Sequence, residues 1–254
     1  IRIEKGTLTW TNPKPSDIVG LPANSKASPN GYKIVISWGQ NKEEFSLEDG
    51  TTTFVLGDRF EDGSYSVSIQ NIGSKQSGEY NYTSSKIVSS SVYKLIKLED
   101  LNIADGLNLN WTNPNIKLVQ EFVVNIKHTL NDSSKLFSGI IPSTNSKIRF
   151  EDLLYYTNEN GENILVLSSN ENIVENNGEL YFEENKLNKL SGEGKFEVNV
   201  CAYGNDKFIS SDASNTITIV RPPEVTNLHV THGKVSWTGS EEANGYILTL
   251  TRYT

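Results

Sequence analysis

Residue types that carry catalysis are scattered along this chain of 254 residues. His128 stands alone, and His229 and His232 lie three apart on a predicted strand, so they face opposite sides. Acidic pairs such as Glu43-Glu44 point apart, whereas a glycosidase needs two carboxylates that face each other across a cleft. No phosphate-binding loop and no paired CxxC motif occurs in the sequence. The pattern predicts surface side chains and a protein that is not an enzyme, with no bound metal and no cofactor.

Cys201 is the single cysteine, so no disulfide can form within the chain. Because it is out of phase with Phe196, Val198 and Val200 on a predicted strand, we expect it to face outward. A reactive thiol needs a basic neighbour that lowers its pKa, and the adjacent sequence provides none. Cys201 is therefore predicted to be inert.

The overall charge excludes two classes of partner. The net charge is −8 and the isoelectric point is near 5.0. Nucleic acids and anionic lipids both attract clustered Lys and Arg, which this chain lacks. No apolar run approaches the roughly 20 residues of a membrane-spanning helix. We expect no nucleic-acid partner and no membrane insertion in this segment.

Aromatic side chains are the better candidates for contact with a partner. An exposed aromatic ring can stack on a sugar or on a partner's side chain, although ordinary packing is the alternative for each position. The candidate ligand- or partner-binding residues are Trp38, Tyr80, Tyr82, Tyr155, Tyr156, Tyr181 and Phe182.

A repeated sequence motif indicates which strands position these side chains. Trp10-Thr11-Asn12-Pro13 returns as Trp111-Thr112-Asn113-Pro114, and a third time as Trp237-Thr238-Gly239-Ser240. Each copy closes a short alternating run that is typical of a strand. The first two copies lie about 100 residues apart, which is the length of one β-sandwich. We expect the three tryptophans to be buried at equivalent positions of separate modules.

Further strands are predicted at matching places after each copy. A long strand opens with an aromatic residue at Tyr32–Trp38, Phe122–Lys127 and Tyr246–Thr251. Asn30-Gly31 and Asn244-Gly245 precede two of these strands, and Gly supplies the positive φ of a tight turn. The later strands are predicted at Tyr65–Ile69 and Phe196–Val200, and the last ones within Ser85–Lys97 and Phe208–Arg221.

Together these patterns resemble the fibronectin type III module. The Trp lies on an early strand, and a late Tyr-x-Val-x-Ile strand follows at Tyr65; an immunoglobulin variable domain would instead carry a cysteine pair across its sheets. The resemblance implies an all-β fold of tandem immunoglobulin-like (fibronectin type III) β-sandwiches, the last one incomplete. Phe196 departs from the pattern, since it lacks the hydroxyl that would pin the corner. The Arg-Gly-Asp of integrin-binding relatives is absent, so that activity does not carry over.

Three segments follow from the repeat. Residues 1–97 are predicted to form a first module with a truncated first strand. Residues 98–221 form a second module with an insertion at about 154–191, and residues 222–254 form the N-terminal part of a third. The junction near Lys97 contains no proline or glycine and is predicted to be short and stiff. Arg221-Pro222-Pro223 is instead a natural joint, because consecutive prolines cannot pair within a sheet. We expect the chain to be a piece of a longer protein.

The insertion is too long for a structureless loop, so it is predicted to contain strands. Asn160-Gly161 and Asn177-Gly178 each lie between two apolar runs and predict hairpins. Residues 183–190 are open to a short helix as an alternative, with Leu187 and Leu190 on one face.

The leading functional hypothesis is a non-catalytic structural or adhesion segment, a spacer or stalk of tandem modules in a larger secreted or cell-surface protein. Its partners would be other domains of that protein, and another protein or a glycan. One alternative is a protein- or glycan-binding module that uses the insertion, and another is an accessory region of a secreted polysaccharide-active enzyme. The Asn-, Ser- and Lys-rich composition is compatible with a bacterial or viral surface.

Overall fold

The computed structural model is built almost entirely of β-strands. It describes residues 1–4, 6–12, 14, 17, 20, 30–56, 60–73, 76–77, 80–241 and 243–252. The sequence runs 22 residues from Trp10 to Tyr32 but nine from Trp237 to Tyr246, which predicts an enlarged loop at Lys14–Pro29. That loop falls mostly outside the described residues. The strands of the first hundred residues are β1 (Arg2–Glu4), β2 (Thr7–Thr9), β3 (Tyr32–Trp38), β4 (Asn41–Leu47), β5 (Thr53–Val55), β6 (Gly63–Asn71), β7 (Gln76–Ser77), β8 (Tyr80–Asn81), β9 (Val88–Lys94) and β10 (Glu99–Ala104).

The remaining strands lie in the second and third repeats. They are β11 (Asn108–Thr112), β12 (Glu121–Leu130), β13 (Ser133–Pro142), β14 (Lys147–Arg149), β15 (Leu153–Thr157), β16 (Asn163–Leu167), β17 (Ile173–Asn176), β18 (Glu179–Phe182), β19 (Asn185–Lys186), β20 (Asn188–Lys189), β21 (Gly194–Ala202), β22 (Phe208–Ile209), β23 (Ile217–Arg221), β24 (Thr226–Thr231) and β25 (Lys234–Thr238). A 3-10 turn, Phe150–Asp152, separates β14 from β15.

The chain divides into two compact units. Unit 1 consists of Ile1–Glu99, Thr112–Phe122 and Cys201–Ser214. Unit 2 consists of Asp100–Trp111, Val123–Val200 and Asn215–Thr254. Two later stretches of chain thus belong with the first sandwich. The sequence-based boundaries at 97/98 and 221/222 stay predictions.

Unit 1 is a sandwich of two sheets. One sheet has the order β1-β2-β5, and the other has the order β22-β9-β6-β3-β4. Alternation along β3 and β6 directs Tyr32, Ile34 and Ile36 to the same buried core as Tyr65 and Val67. The inward-facing positions of both strands are the ones that the alternating sequence predicts. A small β7–β8 hairpin completes the unit.

Unit 2 repeats the arrangement and enlarges it. Its small sheet has the order β10-β11-β14, and its large sheet has the order β20-β15-β16-β13-β12-β21-β23. Four of those seven strands, β13-β12-β21-β23, correspond to β4-β3-β6-β9 of unit 1. The other three come from the predicted insertion. β16 joins β13 in parallel, and a Cβ at Gly139 would lie 2.2 Å from the carbonyl oxygen of Leu165, so the close approach requires glycine.

Both hairpins predicted in the insertion are present. β15 pairs with β16 around Asn160-Gly161, and β17 pairs with β18 around Asn177-Gly178. The helical alternative for residues 183–190 is wrong, because that stretch forms β19 and β20. The insertion has its own small core, in which Ile173, Leu180 and Phe182 pack on buried Leu154, Val166 and Leu187.

Three other expectations need correction. The single last strand predicted within Phe208–Arg221 is split into β22 and β23, because side chains between them satisfy backbone groups in place of a ladder: the Ser211 hydroxyl accepts from the Ala202 amide and donates to the Asp212 carbonyl. Tyr246–Thr251 forms no strand. Gly31 has the expected positive φ of 78°, but Gly245 does not adopt a positive φ.

Candidate functional site

The repeated tryptophans form a recurring aromatic pair. Trp10 meets Tyr32 edge-on with 5.3 Å between ring centroids, and Trp237 meets Tyr246 in the same way at 5.4 Å. Trp111 is buried as predicted, whereas Trp10 and Trp237 are half-buried. The prediction of three fully buried tryptophans is therefore wrong for two copies. The two-stranded β24–β25 hairpin covers less of a ring than a complete sandwich does.

The late-strand aromatic residue differs between the two units. The Tyr65 hydroxyl donates to the Glu61 carbonyl at 2.5 Å and so pins the chain at the start of β6. Burial raises the pKa of Tyr65, and the carboxylates of Glu61 and Asp62 add to that rise. Phe196 has no hydroxyl and is instead enclosed by rings, with His128 stacked on it at 4.2 Å.

The four aromatic candidates of the insertion divide between two locations. Tyr156 and Phe182 stack with centroids 6.0 Å apart over the insertion core. Tyr155, the next residue along β15, meets Phe137 edge-on at 4.9 Å on the other face. Tyr181 is likewise one residue out of phase with Phe182. The structure therefore does not bring the four rings into one surface.

Tyr156 and Tyr181 both have raised pKa values, for different reasons. Burial is the main cause for Tyr156, and the Glu183 carboxylate adds to it. For Tyr181 the main cause is the hydrogen bond that its hydroxyl donates to Glu179. Lys186 also binds Glu179 and holds the pKa of that carboxyl below its usual value. Tyr181 is thus part of a surface polar cluster, which accounts for its side chain without a ligand.

Tyr155 borders a cleft of about 370 Å³ in unit 2, here named the Tyr155 cleft. The stacked rings of His128 and Phe196 form part of its wall, and the His128 Nε2 lies 2.8 Å from the Glu193 carbonyl oxygen. The polar and charged lining consists of Asn131, Ser133, Lys135 and Ser191. The cleft combines ring faces with hydrogen-bonding groups, as ligand pockets commonly do.

Trp38 borders a larger groove of about 570 Å³ on unit 1, here named the serine groove. Its ring lies 5.8 Å from that of Tyr65 and packs against the core. The lining also includes four serines, three further aromatic residues and a single charged side chain: Ser37, Ser64, Ser66, Ser91, Tyr65, Tyr93, Phe208 and Lys207.

The remaining two aromatic candidates lie at or beyond the β7–β8 hairpin. The backbone of Tyr80 is in β8, but its side chain is outside the described part of the structure. The Tyr82 hydroxyl is buried and makes no hydrogen bond with the described residues.

Other chemistry-bearing residues are accounted for by local contacts. Among the described residues, no three His, Cys, Asp or Glu side chains form a group that could hold a metal ion. His128 is half-buried rather than on the surface as predicted, because it stacks on Phe196. Cys201 is half-buried too, where we expected it to face outward. Burial raises the pKa of the Cys201 thiol, the Asp212 carboxylate adds to the rise, and Lys94 opposes it.

Two groups of residues escaped the sequence analysis. Lys94 is fully buried in unit 1, and its Nζ donates to Asp212 Oδ1 at 2.7 Å across 118 positions of sequence. Asn115 is also buried; its side chain accepts from the Ile96 amide at 2.9 Å and donates to the Ile96 carbonyl at 2.6 Å. The Asn-Pro-Asn sequence at 113–115 was an available turn signal, but nothing local indicates the partner of either residue.

The fold class is tandem β-sandwiches with the sheet arrangement of fibronectin type III modules, a three-stranded sheet opposed to a larger one in each unit. No protein-family model matches the chain, and no curated protein matches it. Among the described residues, no helix is long and apolar enough to cross a membrane.

The solved structures that are similar to the chain include two tandem fibronectin type III segments. A segment of two fibronectin type III domains from chicken tenascin is 14% identical, with 87% of this chain and 95% of that chain covered and a TM-score of 0.30. The FN1-FN3 domains of chicken CNTN1 are 11% identical, with 87% of this chain and 64% of that chain covered and a TM-score of 0.33. The fold class follows from the strand order of the sheets in the two units.

Proposed function

We propose that this chain is a non-catalytic structural segment of a secreted or cell-surface protein, a spacer whose tandem sandwiches hold other domains of that protein. The single observation that supports the proposal is the burial of the chain between β9 and β10. A flexible linker would be exposed and free of contacts. Here Leu95 is 0% exposed and Leu98 is 1% exposed.

Side-chain amides hold both ends of this stretch. In unit 1, Asn115 binds both backbone groups of Ile96. In unit 2, Asn215 accepts from the Leu101 amide at 3.0 Å and donates to the Leu101 carbonyl at 2.8 Å. The Asn115 amide replaces a strand partner just beyond the end of β9, and the Asn215 amide does so along β10, an outer strand of its sheet. A stretch bonded in this way differs from an exposed, unbonded linker, and this difference supports the proposed spacer role.

Unit 1 fixes the same stretch from the other side through β22. The Tyr93 amide donates to the Lys207 carbonyl at 2.8 Å, and the Leu95 amide donates to the Ile209 carbonyl at 3.0 Å. Lys94, which lies between Tyr93 and Leu95, pairs with Asp212, three residues beyond the end of β22. Breaking this contact would leave the buried Lys94 ammonium group without its counter-ion, which is costly.

A glutamate-specific protease tests the proposal, because Glu99 and Glu224 are both exposed. Glu99 begins β10, whereas Glu224 lies between β23 and β24 without a strand partner. We expect cleavage after Glu224 well before cleavage after Glu99. Equally fast cleavage at the two sites contradicts a stiff spacer. Turnover of any substrate by the purified chain contradicts the non-catalytic role.

A second candidate function is capture of a protein or glycan by the insertion, favoured by the Tyr155 cleft. Deletion of residues 154–191 is a poor test, since it would uncover β13 and remove buried Leu165 and Val166. Point variants are sharper. We expect Tyr155→Ala to abolish binding on an array of immobilised glycans, and Tyr181→Ala, which lies outside the cleft, to retain it. Equal binding by both variants contradicts a role for the cleft.

A further inference from the structure

The outward face of the large sheet in unit 1 carries an ordered row of hydroxyl groups. Ser37 pairs with Ser66 across β3 and β6, and Ser66 pairs with Ser91 across β6 and β9. Directly paired residues of one face have Cβ atoms about 5 Å apart, so three hydroxyls project side by side from adjacent strands. Ser64, two residues before Ser66, projects from the same face.

These hydroxyls are available to a ligand. None of the four serines makes a side-chain hydrogen bond with the residues that the structure describes. Ser68 lies next on the same face, outside the groove, and its hydroxyl donates to the Val35 carbonyl at 3.3 Å. The contrast shows that backbone acceptors satisfy a serine elsewhere on this face, whereas the serines of the groove remain open.

An aromatic wall bounds the serine groove at one end. Tyr93 pairs with Ser64 on β6 and with Phe208 on β22. The side chains of Ser64, Tyr93 and Phe208 therefore form a second row, next to the row of Ser37, Ser66 and Ser91. The Tyr93 and Phe208 rings meet edge-on with 6.2 Å between centroids. β22 therefore extends the sheet and also supplies the Phe208 ring, which turns a flat sheet face into a groove.

The charge of the groove limits the ligand class. Its lining contains no carboxylate and one cation, the exposed Lys207, on a chain whose net charge is −8. A cationic ligand would find no counter-ion there. An anionic ligand would have a single lysine to pair with on a chain of net negative charge. Open hydroxyls beside ring faces instead match a neutral pyranose, which offers hydroxyls at its edge and C–H groups on its face.

We infer that the serine groove binds a neutral oligosaccharide, with a pyranose ring packed on the Tyr93–Phe208 wall and its hydroxyls bonded to Ser66 and Ser91. The volume of about 570 Å³ falls in the usual range of ligand pockets. The inference is independent of the spacer role, because a rigid spacer needs no ligand and a glycan site needs no rigid junction.

The test uses calorimetry of the whole chain with four neutral probes, cellotetraose, xylotetraose, maltotetraose and chitotetraose, and with tetragalacturonate as the charged counterpart. We expect heat from at least one neutral probe. Amide resonances of Ser66 and Ser91 should shift with it. No heat from any neutral probe, or binding of the charged probe alone, overturns the inference.

A matched pair of variants locates the site. Ser91→Glu fills the groove, and Ser89→Glu places the same side chain two residues away on the same strand and face, outside the groove. Both positions are exposed, so neither change disturbs the core. We expect Ser91→Glu to weaken binding about tenfold or more, which corresponds to about 1.4 kcal/mol, and Ser89→Glu to leave it within about twofold. Equal losses, or loss in Tyr155→Ala instead, overturn the assignment.

Discussion

Individual residues show how one position of the fold can be stabilised by different chemistry. At the start of β6, Tyr65 pins the chain through its hydroxyl, and at the start of β21, Phe196 is held by stacked rings and by Arg221, whose guanidinium carbon is 5.6 Å from the ring. The loss of the hydroxyl in Phe196 could be predicted from sequence by alignment of the repeats. The enclosure by His128 could not, because it depends on a partner 68 residues away that has no local signal.

The corner hydrogen bond predicts a measurable loss of stability on Tyr65→Phe. The change removes one buried hydrogen bond and leaves the ring, so we expect unit 1 to lose about 1 kcal/mol of unfolding free energy. Urea unfolding followed by tryptophan fluorescence measures it. Tyr93→Phe is the control, since the Tyr93 hydroxyl makes no hydrogen bond with the described residues. A loss of the same size in both variants would remove the corner bond as the cause.

Cys201 should be slow to alkylate in the folded chain. Its pKa is raised, chiefly by burial, so the reactive thiolate is scarce at neutral pH, and the labelling rate should climb only above the ordinary thiol pKa of about 8.5. The raised pKa favours folding below that value, and this contribution is lost as the pH rises through the folded-state pKa. Iodoacetamide labelling of native and urea-unfolded chain gives the comparison. Equal rates at neutral pH would contradict a buried thiol.

At the scale of elements, alternation predicted the long core strands but not the strands of only two residues. Alternation over five or more residues gave β3, β6, β12 and β21 their correct places and buried faces, because burial of one sheet face imposes a period of two. β22 has only two residues, and its pairing with β9 is parallel and distant in sequence. The serine groove depends on that pairing, so its sequence signal was limited to Trp38.

The Asn115 side chain is expected to contribute more than an ordinary surface amide. Asn115→Ala leaves both backbone groups of Ile96 without their partner, so we expect a loss of about 2 kcal/mol. Thermal or urea unfolding measures the loss. Asn102→Ala removes an exposed amide bonded only to the nearby Asp100 carbonyl, and it should cost less than about 0.5 kcal/mol. If the two variants are equally stable, the amide does not hold the junction.

At the scale of the whole molecule, the repeat correctly predicted the sandwich architecture. It overestimated how much of the third copy is buried. The Trp237–Tyr246 pair reproduces the geometry of Trp10 and Tyr32, yet much of the surrounding sequence is exposed, with Ile247 at 98%. Sequence similarity could identify the pair because it is local. It could not indicate burial, which requires a second sheet over the first.

Truncation after Arg221 should therefore leave the remaining chain almost unchanged in stability. β24 is exposed along its whole length, whereas Arg221 donates to the Leu190 carbonyl at 2.6 Å and remains in the shortened chain. We expect a change below about 1 kcal/mol in urea unfolding. Truncation after Ile219, which also removes Arg221, is the matched comparison and should cost more. A large loss in the chain that ends at Arg221 would show that the third repeat supports unit 2.

β22 also determines which neighbours unit 1 can acquire. A sheet with an uncovered border strand is a template for another polypeptide, and in unit 1 the Tyr93 end of β9 is already occupied by the chain's own β22. The opposite edge strand, β4, carries Glu44, which forms ion pairs with Lys33 on β3 and Lys42 on β4. Charges at this edge oppose pairing with a further strand. Chains packed densely on a surface would therefore remain separate, because neither of these two sheet edges would pair with a neighbouring chain to form fibres.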